Sequence, residues 1–295
     1  MIELRHIRYF VAVAEELNFR RAAERVHIDQ TPLSRTIRDL EHQLGVLLFV
    51  RSPRNLQLTP AGAKLLEQAH MLFIRLRRIQ RVVRETDARY RTPLRIGVAD
   101  GIAQPKLAEC FIAWRALVPE TPLDLMEMRA IELLTALRRE EVDIGFSFGV
   151  PDDETIAQEA AWAYPLLALL PPDHELATRD ILSVSELLAF PMIACHLGRL
   201  PGLRRQMDAV RRQYAAKPVI AGEARTLPGY VTRVAAGLGV GVADAGHMQT
   251  LRRTDVVVVP LIEDIRITTY VLYRHQRQGL PDVLQRFLAH AKTLR

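Results

Sequence analysis

The most constraining stretch of the chain is AERVHIDQTPLSRTIRDLEHQLG, residues 23–45, in which Leu33, Ile37, Leu40 and Leu44 recur at steps of four, three and four. That spacing lines up one apolar stripe of an α-helix, and such a stripe needs a core to face. Asp29 sits where an N-cap side chain would accept a backbone N–H, Pro32 falls in the first turn, where its missing donor costs little, and Gly45 supplies a left-handed stop. Upstream, Leu4, Ile7, Phe10, Val11 and Ala14 predict a first helix, and Ala22, Ala23 and Val26 a second whose small residues permit close approach. Three short helices are expected, the last delimited at both ends.

The other side of the third helix carries Gln30, Thr31, Ser34, Arg35 and Arg38, with Pro32 among them. An ordinary solvated face favours Glu and Lys paired at i,i+4, whereas short hydroxyls, an amide and two arginines suit nucleic acid. Gln can read adenine, Arg can read guanine, and Ser or Thr can meet base edges or phosphate. The helix alone leaves both readings open. The next segment, LLFVRSPRNLQLT over residues 47–59, decides between them, because it predicts extended pieces at 47–49 and 56–58 joined by the basic, turn-prone RSPRN. Three helices plus a basic hairpin make a winged helix-turn-helix. Its second motif helix enters the major groove of double-stranded DNA, while Arg51 and Arg54 approach phosphate or the minor groove.

The run LRHIRYFVAVAEELNFRRAAERVHIDQTPLSRTIRDLEHQLGVLLFVRSPRNLQLTPAGAKLL resembles the LysR-type transcriptional regulators closely and without interruption. It departs at Asp29 and Thr31, where that family more often shows Ser or Thr and then Pro or Ser around the shared Gln30. The resemblance implies a DNA-binding head, a linker helix and a two-lobe α/β effector domain like that of periplasmic solute-binding proteins. It also implies a small-molecule effector, assembly into homodimers or homotetramers, and RNA polymerase as a further candidate partner.

Charge follows the same division. Residues 1–92 carry 17 Lys and Arg against 10 Asp and Glu, and residues 93–295 carry 23 against 24, so the basic excess belongs to the N-terminal region. That suits a phosphate-binding head on a near-neutral remainder. The N-terminus lacks an apolar signal segment and the longest apolar run, AWAYPLLALLPP, is too short for a bilayer, so a soluble cytoplasmic protein with no membrane partner is expected. Only Cys110 and Cys195 are present, without zinc-ligand spacing. No GxSxG, no HExxH and no cofactor-lysine motif around Lys64, Lys106, Lys217 or Lys292 supports an enzyme, and no metal or cofactor is expected.

From Pro60, Leu65, Ala69, Leu72, Leu76, Ile79 and Val83 follow steps of four, three, four, three and four, the seam of a coiled coil. Arg75, Arg77, Arg78, Arg81 and Arg84 crowd the remaining surface, which favours pairing with a second copy over packing on the chain's own core. Tyr90-Arg91-Thr92-Pro93 breaks the helix. The domains expected are 1–59 for the winged head, 60–92 for the linker and 93–295 for the effector region, with lobe I at 93–164 and 269–295 and lobe II at 165–268.

Beyond Pro93, LRIGV, LDLME and VDIGFSF alternate with helical segments in a βαβαβ order that predicts a mostly parallel, doubly wound sheet, and a second such set runs from PLLALL to VVVVP. The chain crosses between lobes near Tyr164-Pro165 and at 265–268. The glycines of AAGLGVGVAD follow a helix and lead into a strand, the reverse of a dinucleotide loop, so close helix–strand packing is their expected role.

Ligands of such folds sit at the carboxyl ends of strands near helix N-termini. That rule selects Asp100, Gly101, Arg129, Ala130, Phe148, Cys195, His196, Thr226, Leu227 and Asp244 as effector-contacting candidates. Arg129 is either a clamp for an anionic effector or the partner of Asp100, and both alternatives predict a polar cleft. Cys195 is read as a structural thiol rather than a redox switch.

Overall fold

A computed structural model describes residues 1–52, 55–85, 92–99, 101–195, 200–214, 218–275 and 279–294, with the backbone alone at positions 51, 52, 55, 78, 81, 82, 84 and 85. The chain divides into two compact units, Met1–Asp87 and Ala88–Arg295.

The first unit contains α1 (Leu4–Glu16), α2 (Phe19–Val26), α3 (Gln30–Leu44), the antiparallel pair β1 (Phe49–Ser52) and β2 (Asn55–Leu58), and α4 (Pro60–Glu85). Leu33, Ile37 and Leu40 are fully buried with Phe10, Val13 and Ala22, so the stripe in the sequence is the core of this unit. Its two ends differ from expectation. Leu4 and Leu44 are exposed, because each helix runs past the small core it covers. Gly45 adopts φ 69° as the C-cap, but Asp29 occupies the N-cap position of α3 without a side-chain cap bond. The capping chemistry is instead that of Asn18, whose Oδ1 accepts the N–H groups of Arg20 and Arg21 at 2.9 and 3.1 Å. The first strand of the wing starts at Phe49 rather than Leu47, since Leu48 and Phe49 turn inward while Leu47 is exposed.

The second unit opens with β3 (Leu94–Ala99), α5 (Pro105–Leu117), β4 (Leu123–Met128), α6 (Ala130–Arg138) and β5 (Ile144–Ser147), and β3 pairs in parallel with both β4 and β5. There follow β6 (Ile156–Leu170), α7 (Val184–Leu187), β7 (Met192–Cys195), α8 (Pro201–Arg211), β8 (Ile220–Ala224), α9 (Leu227–Ala235) and β9 (Gly241–Asp244). The unit ends with α10 (Ala245–Leu251), β10 (Val257–Pro260), β11 (Arg266–Arg274) and α11 (Asp282–Lys292).

The sheet is mixed, not mostly parallel. Strand β6 is 15 residues long and begins at Ile156, well before the apolar PLLALL that marks its second half. Its first part pairs antiparallel with β11, and its second part, from Leu166, lies antiparallel between β9 and β10. One strand thus serves both lobes, and β11 runs back beside it and beside β5. Strand β11 runs against the βαβ set of the first lobe and β6 against β9 and β10 of the second, which is why parallel ladders are confined to β3, β4, β5 and the β7–β8 pair.

The glycines of AAGLGVGVAD do pack a helix on a strand. A Cβ on Gly241 would lie 2.3 Å from the Tyr230 hydroxyl of α9. That hydroxyl donates to the Val242 carbonyl and accepts the Val242 N–H at 3.0 and 2.7 Å.

Helix α8 locks onto the other lobe. A Cβ on Gly202 would meet the Gly149 carbonyl oxygen at 2.1 Å, so the backbones touch there. One turn on, Gln206 Nε2 donates to the Phe148 and Thr268 carbonyls and Oε1 accepts the Thr268 N–H, each at 2.8 Å. Gly202→Ala should therefore force the backbones apart and lower unfolding stability by roughly 1–3 kcal/mol, as overpacking does, measured by chemical denaturation of the full chain.

Candidate nucleic-acid interface and ligand cavity

In the first unit, Leu33, Ile37 and Leu40 turn one side of α3 inward and leave Gln30, Thr31, Pro32, Arg35 and Arg38 exposed, with Ser34 half-buried. Arg38 donates to Ser34 Oγ at 3.4 Å, and Gln30, Thr31 and Arg35 make no side-chain hydrogen bond among the described residues. Gln30, Thr31 and Arg35 thus keep unengaged donors and acceptors among the described residues, the condition for recognising a partner. Arg54 lies outside the described residues, as does the side chain of Arg51, whose backbone is in β1.

The residue that fixes the wing against this helix was not singled out by the sequence pattern. Glu41 is buried on the inner side of α3, and its Oε1 accepts the N–H groups of Leu48 and Phe49 at 2.9 and 3.2 Å. Thr59 closes the other end, where its N–H reaches the Leu48 carbonyl and its hydroxyl the Leu47 carbonyl. A Glu three residues after Arg38 reads as surface charge, and only the wing folding back over it makes it an internal acceptor. Phe49 then packs against Phe10 and Phe19 with ring centroids at 5.5 and 6.2 Å.

The seam on α4 divides in two. Ala69 is buried and Leu65 half-buried in this unit's own core, so these positions face inward within one chain, contrary to the expected second-copy contact. His70 contacts Glu15 of α1 at 2.9 Å, which holds the same half of α4 to the head. Further along, Leu76 is half-buried, while Leu72, Ile79 and Val83 are 39, 60 and 63% exposed.

In the second unit a cavity of about 450 Å³ opens at the carboxyl ends of β7, β8 and β9. Gly101, Phe148, Cys195, Thr226, Leu227 and Asp244 all line it. Asp100 and His196 lie outside the described residues. Arg129 and Ala130 do not line it: Ala130 is buried at the start of α6, and Arg129 points to solvent and pairs with Glu132, with Nε to Oε1 at 2.9 Å. Glu132 also accepts the Arg129 backbone N–H, so this pair closes the first turn of α6, and Arg129 is no clamp for a ligand in the cavity. The hydrogen bonds to Arg129 hold the exposed Glu132 carboxyl below its usual value.

The walls are apolar rather than polar, because α8 contributes Leu203, Met207 and Val210 at steps of four and three, and α7 contributes Val184 and Leu187. Arg211 and Arg225 add positive charge. Thr226 uses its own hydroxyl to accept the Gly229 N–H at 3.2 Å, so the α9 terminus has spent that donor on its own cap. Cys110 is fully buried in α5 and desolvation pushes its thiol up to about 12, while Cys195 lines the cavity; neither is in a disulfide.

One side of the cavity rests on a buried polar cluster that the sequence reading touched only at Asp244. The indole N–H of Trp162 and the hydroxyl of Thr269 donate to Gln104 Oε1 at 2.7 and 2.8 Å, which fixes the amide so that Nε2 donates to Asp244 Oδ1 at 2.9 Å. Asp244 also accepts the His247 N–H on Oδ1 at 3.1 Å and holds the ring Nδ1 on Oδ2 at 2.6 Å. The Ala103 N–H reaches His247 Nε2 at 3.4 Å, which makes that nitrogen the acceptor and Nδ1 the proton-bearing one. Burial pushes the Asp244 carboxyl up, but the bonds from His247 and Gln104 outweigh it and hold the group below its usual value.

Two family models match the chain: "Bacterial regulatory helix-turn-helix protein, lysR family" over residues 4–63 and "LysR substrate binding domain" over residues 87–294. The chain belongs to the LysR family of transcriptional regulators. Over 287 residues this LysR regulator is 35% identical to the HTH-type transcriptional regulator CatR of Pseudomonas putida, covering 97% of each chain. The crystal structure of CbnR, a LysR family transcriptional regulator, shares the fold with a TM-score of 0.71 at 22% identity over 99% of both chains. CbnR complexed with its target DNA matches with a TM-score of 0.61, again over 99% of each chain. Proteins of this family are regulators rather than enzymes, and no described helix is long and apolar enough to cross a membrane.

Two measurements check this geometry. Glu41→Ala leaves two buried backbone N–H groups without their acceptor and should cost roughly 2–4 kcal/mol, whereas Glu41→Gln, which keeps an acceptor oxygen, should lose clearly less in the same denaturation experiment. For Asp244 the folded pKa lies below the unfolded value of about 4, so its stabilisation is complete above that pH and is lost as pH falls through the folded pKa. Asp244→Asn should accordingly be less stable at neutral pH and show a flatter acid limb in a pH series of thermal midpoints.

Proposed function

We propose that this LysR-type regulator is a cytoplasmic homo-oligomer that binds a specific operator through α3 and the wing and responds to a small molecule held in the cavity between its lobes. The observation that carries the DNA-binding part is the exposed row Gln30, Thr31, Arg35 and Arg38, with the half-buried Ser34 among them, on a helix whose other side is the core. Gln30 and Arg35 have the donors and acceptors for bidentate contacts with base edges, and Arg51 and Arg54 of the wing have the charge for phosphate or the minor groove. Basic charge concentrated in residues 1–92 supports the same reading.

Self-association runs through the outer half of α4, where Leu72, Ile79 and Val83 expose apolar surface that a second copy would cover. The cavity is the effector site because it is an apolar cleft at strand ends that, among the described residues, meets both lobes, from Phe148 on one side to Asp244 on the other. Its ligand carries a negative group, for which Arg211 and Arg225 are the counter-charges. Ligand binding alters transcription only in so far as it favours one arrangement of the lobes over another.

Arg35→Ala should lose about 1–3 kcal/mol of operator binding and relax specificity at one base position, while Arg51→Ala should weaken binding evenly across sequences and flatten its salt dependence. Electrophoretic mobility shifts on a set of single-base operator variants at several salt concentrations separate the two. Ile79→Asp should convert the oligomer to smaller species in sedimentation. An unchanged mass would remove α4 from the association surface.

A further inference from the structure

We propose that the cavity continues inside the second lobe as an apolar slot beneath α8, and that the slot takes the extended chain of an unbranched medium-chain carboxylate whose head stays at the strand-end mouth. This adds a binding site within one lobe to the effector reading, and it rests on that reading only for its effect on transcription.

The connection from β7 through α8 to β8 sets the direction. The two strands are parallel, so α8 starts near the carboxyl end of β7 and returns to the amino end of β8. The residues that line the cavity trace that whole path. At the mouth are Cys195, which ends β7, Thr226, and Phe148 of the other lobe. At the far end are Met192 and Ile220, which begin β7 and β8 and pair with each other, together with Pro218 and Tyr214. The cavity therefore runs alongside the strands as well as across their ends. Leu203 and Val210 of α8 both line it and are two turns apart, on the order of 10 Å. Strand β7, all of which lines it, spans a similar length.

The slot borders an apolar stripe that the lobe does not cover. Leu203, Met207, Val210 and Tyr214 recur at steps of four, three and four, the spacing of a core-facing side, yet all four are only half-buried. The one buried residue of α8 is Gly202. The next crossover helix differs, since α9 buries Tyr230, Val231 and Val234. The first turns of α8 are fixed instead by Gly202 on the Gly149 carbonyl and by Gln206 on Phe148 and Thr268, so the lobe contact sets the position of the helix there and space remains along its stripe.

A chain laid along the stripe covers it and loses its own hydration in the same step. An extended chain advances roughly 1.2 Å per bond, so the stretch from Leu203 to Val210 accommodates about eight bonds. A compact body of equal carbon number fills the mouth and leaves the far half uncovered. Met192 and Met207, from β7 and α8, are unbranched and let the walls adapt to a chain. The head belongs at the mouth, where the exposed Arg225 and Thr226 leave it in water, because stripping a carboxylate between aliphatic walls is costly.

Isothermal titration of the full chain with hexanoate, octanoate, decanoate and dodecanoate, and with adamantane-1-carboxylate as a compact acid, tests the slot. Affinity should rise about fourfold per methylene as far as decanoate and level off by dodecanoate, and the compact acid should bind roughly tenfold or more weakly than decanoate. Met207→Trp, which puts an indole across the middle of the slot, should bring decanoate down to about the level of hexanoate and leave hexanoate unchanged. Val210→Trp, one turn further in, should weaken decanoate less. Both positions are half-buried, and thermal midpoints check that each variant is folded. A flat response to chain length, tighter binding of the compact acid, no binding by any linear acid, or a loss in both variants that is uniform across chain lengths overturns the inference. A larger loss from Val210→Trp than from Met207→Trp overturns the direction of the chain. Operator binding measured alongside keeps the two claims apart. A compact acid that binds best and shifts operator affinity refutes the slot but not the effector site. The expected chain-length series without any shift in operator affinity refutes the effector role but not the slot.

Discussion

The effector unit depends on a single buried amide. Gln104, just before α5, accepts from Trp162 of β6 and Thr269 of β11 and donates to Asp244 at the end of β9, so one side chain ties together both crossing strands and both lobes. An indole N–H can only donate, which dictates the orientation of the amide and hence which end faces the carboxylate. The carboxylate in turn orients His247, and His247 meets the backbone ahead of α5 at Ala103. Such a cluster is favourable only when every member is satisfied, because an unpaired polar group in this place would be costly. The lobe arrangement is therefore specified by hydrogen-bond geometry as much as by apolar burial, although Phe146 stacked on Trp162 at 5.3 Å supplies the packing underneath.

What the sequence made legible follows from periodicity. Helices with a stripe and a stop, such as α3 with Leu33, Ile37, Leu40 and Gly45, can be read because their spacing is local. The first half of β6 could not, since AQEAAWAY mixes buried and exposed positions on a strand whose partners lie more than a hundred residues away in β11. Glu41 and Gln104 were missed for the same reason: their partners become neighbours only after the wing and the crossing strands fold back. Arg129 failed in the opposite way. The strand-end rule selected its position correctly as a helix start, but Glu132, three residues on, captured the guanidinium before any ligand or Asp100 had to be considered.

The seam on α4 shows how one heptad pattern can serve two surfaces. Leu65 and Ala69 satisfy their apolar requirement within the head, where α4 packs against α1, and the pattern then continues onto Leu72, Ile79 and Val83, which the head is too small to cover. A sequence repeat records that a face is apolar along its length and leaves unrecorded which core covers each turn.

Helix α8 connects the cavity to the lobe contact. Leu203, Met207 and Val210 form the cavity wall, while Gly202 and Gln206, on the neighbouring positions of the same turns, rest on the Phe148–Gly149 backbone and on Thr268 at the start of β11. A rigid helix cannot shift its wall-forming side without moving its latched side. The amide of Gln206 makes three bonds at 2.8 Å to backbone groups of two different strands or strand ends, and these bonds are lost together if α8 rotates or slides. The absence of a side chain at Gly202 makes the contact close enough to be sensitive to small displacements, since backbones in direct contact have no flexible intermediary to absorb them. Filling the cavity and changing the lobe contact are consequently mechanically inseparable in this fold, and they act on one element of 11 residues.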